Sequence, residues 1–298
     1  MRRLAGTGIE YRLVRLAAYV LVADPFFLRR SVSAYYSLVD RIVLSYDRSG
    51  RSWTGTPLPL DECMAILRDI DTDRKFVHAP GDYARSGFAP MANETFQRQC
   101  ALDSASETGD WVLQLDTDEV LPRPSRFAEA VSRADEAGAG AMDYPARWIY
   151  TRVGPGMYLE SSNRFGRRVA SYPGPLAVRA GTSLRMARQT DAVHYRADIR
   201  AKNTDPWRPA DSAVHEVVHP RDAVLHFSWV RTPEAVHRKL AWSGHADDLD
   251  APAEYRQWVW HTRHPILTTV SNPLRRGRWL RLTSVPEPPG CTASEASL

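Results

Sequence analysis

Cysteine is scarce in this 298-residue chain: Cys63, Cys100 and Cys291 stand far apart and none belongs to a CxxC pair. That argues against a disulfide framework and a cysteine-built zinc site, and it suits a reducing cytoplasm. Long apolar runs are lacking as well. Near the N-terminus the longest is Leu16–Ala23, closed by Asp24 and Pro25, whereas a spanning helix needs about twenty apolar residues. No small-residue cleavage site follows it, so neither a membrane span nor a secretory signal is expected. Charge of one sign is also missing. The balance of 39 basic and 35 acidic residues is +4, too little for the global basic field of a nucleic-acid-binding protein. With 43% hydrophobic and 25% charged residues, the chain can still fill a core in one large or two small domains. Composition points to a cytoplasmic enzyme and says nothing of its reaction.

What is present is an alternation of two periodicities. Leu16–Ala23 is continuously apolar, the mark of a strand buried on both faces. After Pro25 come Leu28, Val32, Tyr35, Leu38 and Val39 at helical spacing. Ile42–Tyr46 predicts a second buried strand ending at Asp47, Leu60–Ile70 a helix, and Lys75–His78 a short strand. A helix carrying Phe96, Cys100, Ala101 and Ala105 ends near Gly109, before the strand Trp111–Leu115. Strand and helix alternate four times, which predicts an α/β fold with a mostly parallel sheet flanked by helices. Beyond residue 122 the pattern changes to a mixed or antiparallel extension, with extended segments at Ala141–Tyr150 and Ala223–Trp229 among Gly-, Pro- and Arg-rich loops. Thr232-Pro233-Glu234 starts a helix expected to reach Gly244. A last helix spans about Ala253–His261.

In an open parallel sheet, ligands bind beyond the carboxyl ends of the strands. Asp116 and Asp118 follow the strand Trp111–Leu115 directly, and side chains two apart on extended chain face the same side. Both carboxylates can therefore meet one hard cation, Mg²⁺ or Mn²⁺, whose shell substrate phosphates complete. Such an ion neutralises charge on a departing diphosphate.

The stretch Asp110–Leu121, DWVLQLDTDEVL, resembles the strand-plus-DxD segment of family-2 glycosyltransferases of the GT-A fold. Asp47 stands where that family places an aspartate against the nucleotide base, and Arg98 resembles the arginine of its pre-DxD helix. Val214-His215-Glu216, Leu225-His226-Phe227-Ser228 and Lys239 are similar to the VHE, LxH and K pattern of bacterial lipopolysaccharide-type members. After Asp47 the family usually continues with a serine and a second aspartate, whereas here the chain reads Arg48-Ser49-Gly50-Arg51.

The resemblance implies a GT-A-type, Rossmann-like fold with C-terminal helices and an inverting transfer of sugar from a nucleotide diphosphate sugar to an acceptor hydroxyl. On that reading Asp116 and Asp118 hold the metal, with His226 a third ligand to metal or diphosphate. Asp24, Asp47, Arg98 and Asp116 serve the nucleotide. Glu216 is the first candidate for the base that deprotonates the acceptor, with Asp191 and Glu160 in reserve. Arg164, Arg167 and Arg168 could hold diphosphate oxygens. The chain then divides into a nucleotide-sugar half (10–122), an acceptor half (123–230), a helical segment (231–285) and a disordered tail (286–298). The acceptor is a glycan, a lipid-linked chain or a small molecule.

Basic residues collect at both ends: Arg2, Arg3, Arg12 and Arg15, then Arg275, Arg276, Arg278 and Arg281 interleaved with Leu274, Trp279, Leu280 and Leu282. The second group could touch anionic lipid at the inner membrane face or form a solvated edge. Three further readings compete. His215-Glu216-Val217-Val218-His219 is formally the H-E-x-x-H of zinc metalloproteases. That motif needs a helix, whereas Pro220 and two β-branched valines favour extended chain, which puts the histidines about 13 Å apart. A sugar-nucleotide nucleotidyltransferase would share the core and the aspartates. It would also carry a glycine-rich loop where this chain has Ala23-Asp24-Pro25-Phe26. A carbohydrate-binding module would use the nine tryptophans and twelve tyrosines without needing the aspartate pair.

Overall fold

The computed structural model describes residues 14–242, 250–275 and 277–285. In chain order the elements are β1 (Leu16–Leu21), α1 (Leu28–Tyr35), β2 (Arg41–Asp47), α2 (Leu60–Ile70), β3 (Phe76–Gly81), α3 (Pro90–Ser106), β4 (Trp111–Leu113) and β5 (Glu119–Val120). Next come α4 (Pro124–Glu136), β6 (Ala141–Asp143), β7 (Ala146–Gly154), β8 (Met157–Ser162), β9 (Ala177–Arg179), β10 (His194–Asp198), β11 (Glu216–Val217) and β12 (Val224–His226). The chain closes with α5 (Pro233–Trp242), α6 (Ala251–Arg263), α7 (Pro265–Val270) and β13 (Trp279–Ser284).

Eight strands form the large sheet in the order β11-β10-β6-β9-β4-β1-β2-β3. All its pairings are parallel except those of β9 with β4 and β6. The central strand explains its own continuous apolarity. Leu16, Ala18, Val20 and Val22 pack with α1, α2 and α4, while Ala17, Tyr19 and Leu21 pack with Ala101, Leu102 and Ala105 of α3. A period-2 chain with apolar residues on both faces must be covered twice, and the helices do so. The α/β architecture read from the sequence is the one observed.

A second sheet, β13-β8-β7-β12-β5, is mixed. Tyr150, Leu159, Trp229, Val236, Leu240, Trp258 and Leu280 join it to α5 and α6. Three details depart from the sequence reading. Residues 141–150 are two strands in different sheets, broken at Tyr144-Pro145 where proline supplies no N–H. Ordered pairing in 223–229 stops at His226, because the chain turns there with Val230 N–H donating to the Phe227 carbonyl. The boundary at 122 runs through both sheets, since β6, β9, β10 and β11 extend the large one and β5 belongs to the small one. Gly244, Arg2, Arg3, Arg12, Arg276, Cys291 and the 286–298 tail lie outside the described residues. No helix among the described residues is long and apolar enough to cross a membrane.

Candidate active site

Strand β4 is fully buried and carries the chain to its carboxyl end, where the loop 114–118 opens onto a cavity of about 350 Å³. That lies within the ordinary range for small-molecule sites. Gln114 anchors the loop: its amide donates to the Pro175 carbonyl and its oxygen accepts from the Tyr19 hydroxyl (3.0 Å each). Glu119 turns back and accepts from the Asp116 backbone N–H at 2.9 Å. The sequence and these clips put Asp116 and Asp118 on the cavity wall, as the strand–loop reading expects.

Each aspartate is held by cations. Asp116 Oδ1 accepts from Arg98 at 2.7 Å, and its Oδ2 lies 3.7 Å from Arg188. Arg98 also donates to Glu94 one helical turn earlier, while Arg188 makes a two-pronged pair with Glu119 (2.6 and 2.7 Å). Asp118 Oδ2 accepts from Lys239 at 2.5 Å and Arg231 at 3.1 Å, and Oδ1 faces His226 Nε2 at 3.4 Å. Burial opposes ionisation of both carboxyls and is outweighed: Lys239, His226 and Arg231 hold Asp118 well below the usual carboxylate range, and Arg98 and Arg188 lower Asp116. Lys239 itself is pushed down by burial and by the Arg231 charge, against the pull of Asp118.

The two cations on Asp118 differ in how many groups hold them. Arg231 is fixed by Asp24 (2.7 Å) and by the Phe227 and Ser228 carbonyls. Lys239, on a flexible stem, has Asp118 and a long contact to Ser228 (3.4 Å). His226 is held flat against Trp148, with ring centroids 5.6 Å apart and 9° between planes. One buried donor at this cavity, Trp148 Nε1, has no hydrogen-bond partner among the described residues. Buried donors are ordinarily satisfied, so ligand oxygens are the natural complement.

Among the described residues, no three His, Cys, Asp or Glu side chains form a ready-made metal site. The donor chemistry nonetheless suits a cation that arrives with a phosphate ligand. Five carboxylates (Asp24, Glu94, Asp116, Asp118, Glu254) and five basic groups (Arg98, Arg188, Arg231, Lys239, Arg278) line the cavity, so it carries no net excess of positive charge for an anionic ligand. A hard divalent ion shared by one or two carboxylates and substrate phosphates would supply that charge.

Other sequence-derived candidates are not brought here. Glu216 is clasped by Arg133 through both oxygens and accepts from Tyr195 at 3.3 Å, away from the cavity lining. Its segment is the short strand β11, so His215 and His219 do not share a helical face and the metalloprotease reading falls. Asp191 is an exposed surface residue 3.4 Å from Arg185. Glu160 is buried between Arg147 (2.7 Å) and Arg168 (2.9 Å). Neither lines the cavity, and nor do Arg164, Arg167 and Arg168.

Asp47 lies at the end of β2 but is saturated. Oδ1 accepts from Ser49 N–H, Ser49 Oγ and Arg51 N–H, and Oδ2 from Tyr83 and Ala84 N–H (2.8 and 3.0 Å). It clips two loops together and has no acceptor left for a base. The small cleft beside it is walled by Ala23, Leu58 and Trp53, whose indole donates to Gln97 at 2.7 Å. Sequence reasoning missed Glu94, Arg188, Arg231, Trp148 and Glu254 at the cavity. Glu94 was findable, since it stands one helical turn before Arg98. Arg188 and Arg231 come from loops and carried no periodic signal.

No family model and no curated protein matches the chain. Solved structures similar to it include a mannosyltransferase from Pyrobaculum calidifontis in complex with GDP-mannose and Mn²⁺ (11% identity, 88% of this chain and 71% of that one, TM-score 0.37). Others are a mannose-6-phosphate isomerase from Helicobacter pylori (10% identity, 48% and 53%, TM-score 0.29) and a mannose-1-phosphate geranyltransferase from Thermus thermophilus (12%, 57% and 51%, TM-score 0.27). The aligned part spans about half the length of the last two.

Proposed function

We propose that the chain is a glycosyltransferase of the GT-A type, moving a sugar from a nucleotide diphosphate sugar to an acceptor hydroxyl with inversion. What carries the reading is the aspartate pair beyond a parallel strand, inside a ligand-sized cavity where Asp118 is held in part by a lysine ammonium that a divalent ion arriving with an anionic donor can replace. Asp116 and Asp118 would hold a divalent cation, which when bound supplies charge neutralisation on the departing diphosphate. Lys239 is the replaceable partner of Asp118: once exchanged, its ammonium is free to meet phosphate oxygens. Arg98 and Arg188 orient Asp116. Trp53 and Gln97, beside the Asp47 clip, are the wall for the nucleobase.

The base is reassigned. Of the carboxylates lining the cavity, Asp24, Glu94, Asp116 and Asp118 are committed to the cluster, whereas among the described residues Glu254 on α6 has one side-chain partner, Arg278, at 3.1 Å from Oε2. Glu254 takes the acceptor proton as the acceptor oxygen bonds to the anomeric carbon and the bond to the diphosphate oxygen breaks. Electrons and protons balance with no further reactant. The acceptor is hydroxyl-bearing.

A thermal-shift panel of GDP-, UDP-, ADP- and dTDP-sugars, with and without Mn²⁺, tests this. At a hundredfold excess over Kd a donor stabilises by about 2.7 kcal/mol. The expected outcome is a shift that needs Mn²⁺, retained in Glu254→Gln, whose sugar transfer is lost. The absence of any metal-dependent nucleotide shift would sink the proposal. A metal-dependent shift with nucleotide triphosphates and sugar phosphates, but none with nucleotide sugars, would favour a nucleotidyltransferase.

A further inference from the structure

The helix α7 is built inside out. Its buried residue is Thr268, whose hydroxyl bonds His261 Nδ1 at 3.0 Å, while Ile266, Leu267 and Val270 are 68, 56 and 66% exposed. Leu274, on the turn that follows, is 90% exposed, and Trp260 of α6 adds an exposed ring. Positions 266, 267 and 270 follow helical spacing, so these aliphatic groups lie on one outward side, and Leu274 is exposed on the turn directly beyond the helix. A contiguous apolar face marks an interaction surface where scattered single residues would not.

The charge around it is of one sign. From Tyr255 to Val285 the sequence has six arginines and no aspartate or glutamate. Not all of them face outward: Arg278 is turned to Glu254 and the Tyr150 hydroxyl, and Arg281 is a half-buried residue of β13, paired in register with Glu160. Arg256 and Arg263 are exposed, and Arg275 lies over the Trp260 ring at 4.6 Å. Arg164 shares a shallow cleft with Leu274 and Arg275, beside the 71% exposed Phe165. Two copies of such a face would bring like charges together. A surface that takes aliphatic side chains into hydrocarbon and offers anions to guanidinium groups is an anionic bilayer.

We propose that the α6–α7 edge is a docking surface for an anionic membrane, with Ile266, Leu267, Val270 and Leu274 entering the headgroup boundary and Arg256, Arg263 and Arg275 meeting lipid phosphates. The surface stands whichever reaction the cavity runs. It also has a geometric consequence: Leu274 and Arg278 are four residues apart, at most about 14 Å of backbone. Docking therefore sets the Glu254–Arg278 side of the cavity next to the bilayer, where an amphiphilic acceptor would present its head.

Co-sedimentation of the full chain with vesicles tests this. Binding is expected to vesicles with about 30% phosphatidylglycerol and not to phosphatidylcholine alone, as the surface potential requires. The double variant Ile266→Ser, Leu274→Ser should lose about tenfold or more of the vesicle partition, the order expected for two aliphatic side chains withheld from hydrocarbon. Its melting temperature and any nucleotide-induced shift should stay those of the wild type, which separates failure here from failure of the transferase reading. Equal partition of variant and wild type, or none by the wild type, overturns the proposal. So does a wild-type dimer in sedimentation velocity that the same variant converts to monomer.

Discussion

Asp47 and Asp118 are both buried carboxylates, one at and the other just beyond the carboxyl end of a strand in the large sheet, yet they are held in opposite ways. Asp47 is filled by four backbone N–H groups and one adjacent hydroxyl, donors that cannot leave without unfolding two loops. Asp118 is filled by side chains from β12, α5 and the loop between them, one of which, Lys239, has few other contacts. A carboxylate satisfied by backbone is architecture. One satisfied in part by a side chain with few other ties can exchange that partner without unfolding a loop.

The widest separation of the two comes from neutralising each. Asp118→Asn leaves Lys239 and Arg231 without their shared counter-charge. Turnover is expected to fall about a hundredfold or more, with about 3 kcal/mol of stability lost, read by sugar-transfer assay and urea melts. The same variant should flatten the acid limb of stability. Because Asp118 ionises below its unfolded value near 4, its contribution is fully present above that value and is lost as pH falls towards the folded value. Asp47→Asn keeps one acceptor oxygen and turns an amide towards donors. The expected cost is about 1–3 kcal/mol, with nucleotide affinity reduced by less than about tenfold through the displaced Trp53 loop. An Asp47→Asn enzyme that binds donor normally but switches nucleotide preference would reverse the comparison and make Asp47 a reader of the base.

The smallest effect tests the exchange itself. Lys239→Met should tighten Mn²⁺ binding by the nucleotide-free protein about three- to tenfold, a gain of ~1 kcal/mol, measured by Mn²⁺ electron paramagnetic resonance. Unchanged Mn²⁺ affinity would mean that Lys239 never competes with the ion and that Asp118 is as closed as Asp47.

Local pattern carried the α/β half far. The helix read at Leu60–Ile70 is α2 to the residue, and the strand before the aspartate pair was legible because a strand buried on both faces must be apolar without interruption. The capped start at Thr232 is also real, its hydroxyl accepting from Ala235 N–H at 3.2 Å. The short strands of the second half were less legible. β9, β11 and β12 have three residues or fewer, too few for a period to register. The base candidates were the least legible part. Glu216 matched a pattern in a row of letters, but whether a carboxylate is free depends on which arginine the fold sets beside it, and Arg133 lies 83 positions away.

The residues alone established an α/β core, its central strands, and an aspartate pair at a strand end, since periodicity and adjacency are local properties. The cluster of cations around that pair, the saturation of Asp47, and an inverted helix beside an arginine-rich edge were settled only by tertiary structure. Apart from Glu94 with Arg98, one helical turn apart, the pairs named for the cluster join groups 18 to 207 positions apart: Arg98 with Asp116, Arg188 with Glu119, Lys239 with Asp118, Arg231 with Asp24. Ion pairing acts through space, and no local spacing encodes these distant pairs.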